Sequence, residues 1–159
     1  MTKYTIVGFV GSRPPAPNFS EHDWPLHVTL LDTFASTWNQ EELIDQIRWF
    51  AFNSAQFNLL PEKKGLLGPN KDVPVKLLKI DQNLRRLHDR LFLLGKAGNF
   101  VYNTPEFVSS GFVPHITDEK TEQASLERKY LLKSVSLVDM MPDSDMTSRS
   151  IVGTFELST

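Results

Sequence analysis

Helical periodicity is confined to two stretches of this 159-residue chain, and short β-rich runs broken by proline and glycine fill most of the rest. That imbalance narrows the available folds more than any other feature. Asn39 followed by Glu42 has capping-box spacing, and Leu43, Ile47, Phe50 and Ala51 recur at helical intervals, which predicts an amphipathic helix over 40–53. Asp81 can cap a second helix, whose Leu84, Leu87, Leu91 and Leu94 form one stripe ending near Gly95 or Gly98. Around these lie the β-rich runs 4–10, 26–31, 57–60, 73–80, 112–117, 130–140 and 151–157. The segment from Gly11 to Pro25 carries four prolines and is expected as a surface loop, and 65–70 as a linker between strands. No helix follows every strand, so a doubly wound parallel sheet is disfavoured and an α+β fold with mainly antiparallel sheet is expected. There is no exact repeat, but each half holds a strand, a helix and a short strand bearing His-apolar-Thr.

Composition sets the outer limits. With 40% hydrophobic and 23% charged residues the chain is an ordinary globular one, long enough to bury a core as a single domain over 1–159. Seventeen basic and 19 acidic side chains leave a formal charge of −2, which argues against a wrapped DNA duplex but leaves room for a nucleotide or a short RNA. There is no cysteine, which excludes disulfides, thiolate nucleophiles and cysteine-ligated zinc. No run reaches the roughly 20 apolar residues of a membrane span, and the N-terminus lacks a signal-peptide pattern, so a cytoplasmic monomer is expected.

Of the four histidines, two share one context: His27-Val28-Thr29-Leu30 and His115-Ile116-Thr117-Asp118. Side chains alternate along a strand, so His27 and Thr29 share one face while Val28 and Leu30 enter the core, and His115 and Thr117 flank Ile116 likewise. Histidine titrates near neutrality, and two of them can divide the roles of general base and general acid. A phosphodiester needs both, one for the attacking oxygen and one for the leaving oxygen. The two hydroxyls can donate to the nonbridging phosphate oxygens, and the scheme needs neither metal nor cofactor. A single His-apolar-Thr is ordinarily structural. Two of four histidines falling in the pattern by chance is on the order of one in a few hundred.

On these two motifs the chain resembles the 2H phosphoesterase superfamily, named for its paired His-x-(Ser/Thr) elements. Phe112-Val113-Pro114-His115-Ile116-Thr117 looks like that family's aromatic-x-Pro-His-apolar-Thr, and Leu26-His27-Val28-Thr29-Leu30 fits its general form. Asp118 departs from the pattern, which usually has an apolar residue there, and marks an expected strand end. The resemblance implies a bilobal fold of two mainly antiparallel sheets with flanking helices, one motif on each side of a central cleft. It implies catalysis by His27 and His115, phosphate binding by Thr29 and Thr117, and action on a ribose 2′ or 3′ phosphodiester. A 2′,3′-cyclic phosphate on RNA or a nucleotide is the expected substrate. Cyclic oligonucleotide immune signals, cleaved by viral members, are an alternative, as is a non-catalytic RNA- or nucleotide-binding module.

Other residues have weaker claims. Trp24 can stack on a nucleobase, although a core-capping role suits its place at a strand start better. Arg13, Lys76 and Lys79 are candidates for phosphate contact, each more commonly a solvated charge. Tyr4 and Phe9 are opposite in phase on their strand, so at most one faces the cleft. Phe112 is expected in the core, His88 as a partly buried structural residue, and His22 as incidental. Residues 142–150 are expected as a loop over the cleft or a hairpin connection.

Overall fold

Branched and aromatic residues at the N-terminus build the strand around which the molecule is organised, β1 (Tyr4–Phe9), which lies between two long neighbours. The computed structural model describes residues 2–159 and is α+β, with two antiparallel sheets and two α-helices. After β1 come β2 (Asn18–Ser20), β3 (His27–Ala35), α1 (Gln40–Phe52), β4 (Phe57–Leu59), β5 (Pro61–Leu67) and β6 (Val73–Leu78). Then follow α2 (Gln82–Ala97), β7 (Val101–Tyr102), β8 (His115–Thr117), β9 (Tyr130–Leu132), β10 (Ser134–Asp139) and β11 (Ser148–Glu156). The larger sheet runs β2-β11-β10-β1-β3-β8-β6-β5, with β7 also on β3, while β4 and β9 form the smaller one.

Both helices start where the sequence places them. The Asn39 side chain accepts from the Glu42 N–H at 2.9 Å, and Asp81 accepts from the Leu84 N–H at 3.0 Å. Leu43, Ile47, Phe50 and Ala51 of α1 and Leu84, Leu87 and Leu91 of α2 are buried in one core with Ile6, Val28, Phe34 and Ile116. α1 lies against β10 and β11, α2 against β3. The strands differ more from expectation. The 65–70 stretch is mostly hairpin: β5 reads Pro-Glu-Lys-Lys-Gly-Leu-Leu, an edge strand whose exposed lysines mask its β character, and it turns back through Gly68 at φ +91°. The 130–140 run splits at Lys133 into β9 and β10, which join different sheets. The 112–117 run contributes only its last three residues to a strand.

Two features of β3 position the site. First, β3 and β8 meet through the antiparallel pair Val28–Ile116, both fully buried on the helix-covered face. Second, the pairing of β3 with β1 slips: Val7 faces Thr29, but Ile6 faces Leu31, so β3 carries an extra residue there. The bulge's carbonyls are taken by buried side chains. His88 Nδ1–H donates to Leu30 O at 2.9 Å, and Thr5 Oγ1 donates to Leu31 O at 2.8 Å.

His88 is therefore a strut. Its Nε2 accepts from the Ser109 N–H at 2.9 Å, and its ring stacks on Phe112 with centroids 3.8 Å apart. It joins α2 to the bulge and to the segment leading into β8, and the two bonds fix a neutral ring. Burial pulls its pKa below the ordinary value. His88→Ala is expected to cost roughly 2–4 kcal/mol by urea denaturation at pH 7.5, because it opens a cavity and orphans two buried backbone groups. With the folded-state pKa lowered, the stability that neutral His88 confers is lost as pH falls below about 6.5. The gap between wild type and His88→Ala should thus shrink at pH 5.5, and a constant gap would contradict the strut.

Candidate active site

In an antiparallel pair centred on Val28–Ile116, the next residues out face each other: His27 opposite Thr117, and Thr29 opposite His115. All four point away from the helix-covered face. The motifs are thus interleaved, each imidazole facing the other motif's hydroxyl across adjacent strands. A cleft of about 360 Å³ opens beside them, lined by Thr29 and His115 together with Asp32, Val75, Thr104 and Phe112 among others.

Each catalytic candidate is held the same way. His27 Nδ1 lies 2.9 Å from Pro25 O, and His115 Nδ1 lies 2.8 Å from Val113 O, in both cases the carbonyl two residues earlier. A carbonyl can only accept, so Nδ1 carries the proton and the neutral ring presents a lone pair at Nε2. Burial lowers the His27 pKa to about 4; the Pro25 bond works against that shift, and the neighbouring His115 adds to it. Burial lowers His115 as well, opposed by its Val113 bond. Both rings are neutral at pH 7 until something anionic sits beside them.

An aromatic wall fixes His27. Trp24 stacks on its ring at 4.4 Å between centroids and 29° between planes, Phe9 packs at 6.2 Å, and Phe19 meets Trp24 edge-on at 4.9 Å. Arg149 sits over Trp24, 5.9 Å from its ring centroid, with Nη1 donating to the carbonyls of Met140, Met146 and Ser148. Trp24 is half-buried, and its ring packs on a catalytic candidate. Phe9 faces the motifs while Tyr4 is core, as their opposite phase requires.

Among the basic candidates, Lys76 faces away from the motifs, because it pairs across strands with Ile116. There it is buried and bonded to Asp118 at 2.7 and 2.9 Å. A phosphate contact from Lys76 is thereby corrected: the ammonium braces β6 against the residue that ends β8. Arg13 is an exposed loop residue 3.5 Å from Asp23, Lys79 is exposed past the end of β6, and His22 is exposed beside Glu21. Phe112 is buried as expected, yet it also lines the cleft. Residues 142–150 contain a short 3₁₀ turn and the start of β11.

Asp32 and Thr104 escape sequence reasoning. Strict alternation from His27 and Thr29 would aim Leu31 into the cleft and Asp32 away from it; the bulge reverses this. Glu119, two residues beyond Thr117, is pushed up to about 7 by burial, with Asp118 and Asp23 adding to the shift.

No family model matches the chain, and no curated protein matches it either. Solved structures do. TT0787 of Thermus thermophilus matches with a TM-score of 0.57 at 17% identity, over 98% of this chain and 97% of that one. A structure described as a phosphoesterase matches with a TM-score of 0.63 at 13% identity, over 99% of both chains. The chain thus shares the fold of these solved structures over nearly its whole length, an α+β architecture with mainly antiparallel sheet as expected. E. coli LigT, solved in complex with ATP, shares it with a TM-score of 0.54 at 15% identity, over 99% of this chain and 98% of LigT. Among the described residues no helix is long and apolar enough to cross a membrane.

Trp24→Ala exposes one face of the His27 ring and removes much of the burial that depresses its pKa. A histidine-resolved NMR titration should show His27 rising from about 4 toward 6.5 while His115 moves little. An unchanged His27 would show that Trp24 is not what buries it.

Proposed function

We propose that this chain is a 2H phosphodiesterase that opens a ribose 2′,3′-cyclic phosphate, on an RNA end or a nucleotide, by two-histidine acid–base catalysis without a metal. The observation that carries the proposal is the shared anchoring of His27 and His115, whose Nδ1 atoms are tied to backbone so that both Nε2 atoms are free for proton transfer. One Nε2 takes a proton from water as its oxygen attacks phosphorus. The bond from phosphorus to the 2′ or 3′ oxygen breaks, and the other Nε2, protonated beforehand, gives its proton to that leaving oxygen. Thr29 and Thr117 donate to the nonbridging oxygens, where charge builds as the fifth bond forms. The bound phosphate supplies the negative charge that lifts one imidazole back into its protonated form. Likeness to a solved phosphoesterase and to LigT supports the same reading at the level of fold.

His27→Ala and His115→Ala are each expected to lower kcat/KM about 10²–10⁴-fold in EDTA-containing buffer, with circular dichroism unchanged. Near wild-type rates in either variant would refute the two-histidine scheme. Thr29→Val and Thr117→Val should each cost about 10²-fold through lost oxyanion stabilisation.

The pH profile follows from the lowered pKa values. The base stays competent until pH drops below its depressed pKa, whereas the acid gains its proton only as pH falls. The optimum of kcat/KM is therefore expected on the acid side of 6.5, the ordinary histidine value. An optimum at or above about pH 8 would be incompatible with both histidines being depressed in the free enzyme.

A further inference from the structure

The cleft has a second polar end, distinct from the motif residues. Asp32 reaches it because of the bulge at Leu30–Leu31, and its carboxylate is fixed from one side only. Oδ2 accepts from the Thr104 N–H at 2.8 Å and from the Thr104 Oγ1–H at 2.7 Å, while no donor among the described residues reaches Oδ1. This arrangement uses up the only hydroxyl proton Thr104 has. What faces the cleft is then an edge of acceptors alone, the lone pairs of Asp32 Oδ1 beside those of Thr104 Oγ1. Between that edge and the motifs lies an apolar slot. The β5–β6 hairpin contributes Leu67, Val73 and Val75, and Phe107, Phe112 and Val113 contribute the rest.

We propose that this cleft selects guanine, with the base held in the apolar slot and its donor edge bonded to Asp32 Oδ1 and Thr104 Oγ1. The inference rests on the phosphodiesterase reading for where the phosphate goes, at Thr29 and His115. Thr29 and Asp32 are three positions apart on β3, at most about 10 Å at about 3.3 Å per residue and less across the bulge, a span within the reach of one nucleoside. The chemistry of the edge does the selecting. Guanine alone among the four bases presents two adjacent donors, N1–H and N2–H₂. Adenine and cytosine each set a ring acceptor beside their amino group, and uracil flanks its N3–H with two carbonyls; each would bring a lone pair against the carboxylate. A site built of acceptors rejects such ligands strongly, since a buried acceptor left unpaired loses its whole bond. The slot walls suit a flat ring, which packs between apolar side chains whatever its identity, so preference comes from the edge and not from the walls.

The test uses the full-length chain and five substrates: the 2′,3′-cyclic phosphates of guanosine, inosine, adenosine, cytidine and uridine. Inosine keeps N1–H and lacks only the N2 amine. Wild type is expected to favour guanosine over inosine by about tenfold or more in kcat/KM, and over the other three by about 10–100-fold. Asp32→Ala should collapse the guanosine-to-inosine ratio to near one. Thr104→Val, which keeps the side-chain shape, should reduce the ratio as well and covers the case in which Asp32→Ala does not fold. Equal kcat/KM for all five bases, or an Asp32→Ala loss of the same factor for every base, would overturn the guanine assignment while leaving the phosphodiesterase reading intact. Binding of guanosine 3′-monophosphate and its four analogues by tryptophan fluorescence separates the two claims. Guanine-selective binding without turnover upholds the pocket and refutes the reaction, whereas neither binding nor turnover refutes both.

Discussion

Strands β3 and β8 touch through one ladder pair, Val28 with Ile116, and the chemistry of the cleft depends on that contact. Both side chains are fully buried in the common core, so sliding either strand by one residue would drive a histidine or a threonine into the helices and expose a branched apolar group. The register is fixed by burial, and burial also fixes the interleaving of His27 with Thr117 and of Thr29 with His115. The same core that stabilises the fold therefore places four polar groups on its far side. The part-buried Lys76–Asp118 pair braces this contact from β6, at the point where β8 ends.

The bulge in β3 is the second constraint, and it works against the first motif's periodicity. An extra residue after Thr29 returns Leu31 to the core and turns Asp32 outward. Its freed carbonyls would be costly to bury unpaired, and His88 and Thr5 satisfy them from opposite faces of the strand. His88 also holds Ser109, at the head of the segment that delivers Val113, whose carbonyl anchors His115. One buried imidazole that takes no part in proton transfer thus couples the bulge on one strand to the histidine on the next.

The periodic parts of this architecture are legible in the sequence. Both helices and their Asn39 and Asp81 caps follow from spacing and side-chain chemistry, and the alternation in His27-Val28-Thr29 and His115-Ile116-Thr117 foretells which face each residue occupies. Short strands such as β2 and β7 are too brief to show a period, and β5 hides behind edge lysines. The reach of Lys76 is misjudged because nothing local reveals that its cross-strand partner is Ile116 and its ion partner Asp118. Asp32 is invisible for a related reason: a bulge is a tertiary slip between β1 and β3, and alternation counted along β3 alone gives the wrong phase. Trp24 stands out in the sequence but its task does not, since a ring that stacks on His27 and a ring that stacks on a base carry the same local signal.

The electrostatic account joins these parts. Two half-buried imidazoles are tied by Nδ1 to carbonyls and held neutral; a phosphate between them would make protonation of one favourable. A nitrogen-resolved NMR titration of both imidazoles, alone and with a nucleoside 3′-monophosphate, tests this most directly. The account predicts that Nδ1 of His27 and of His115 stays protonated throughout, that only Nε2 titrates, and that the nucleotide raises the pKa of at least one ring. A proton resident on Nε2 in either neutral ring, or rings indifferent to the bound phosphate, would contradict it.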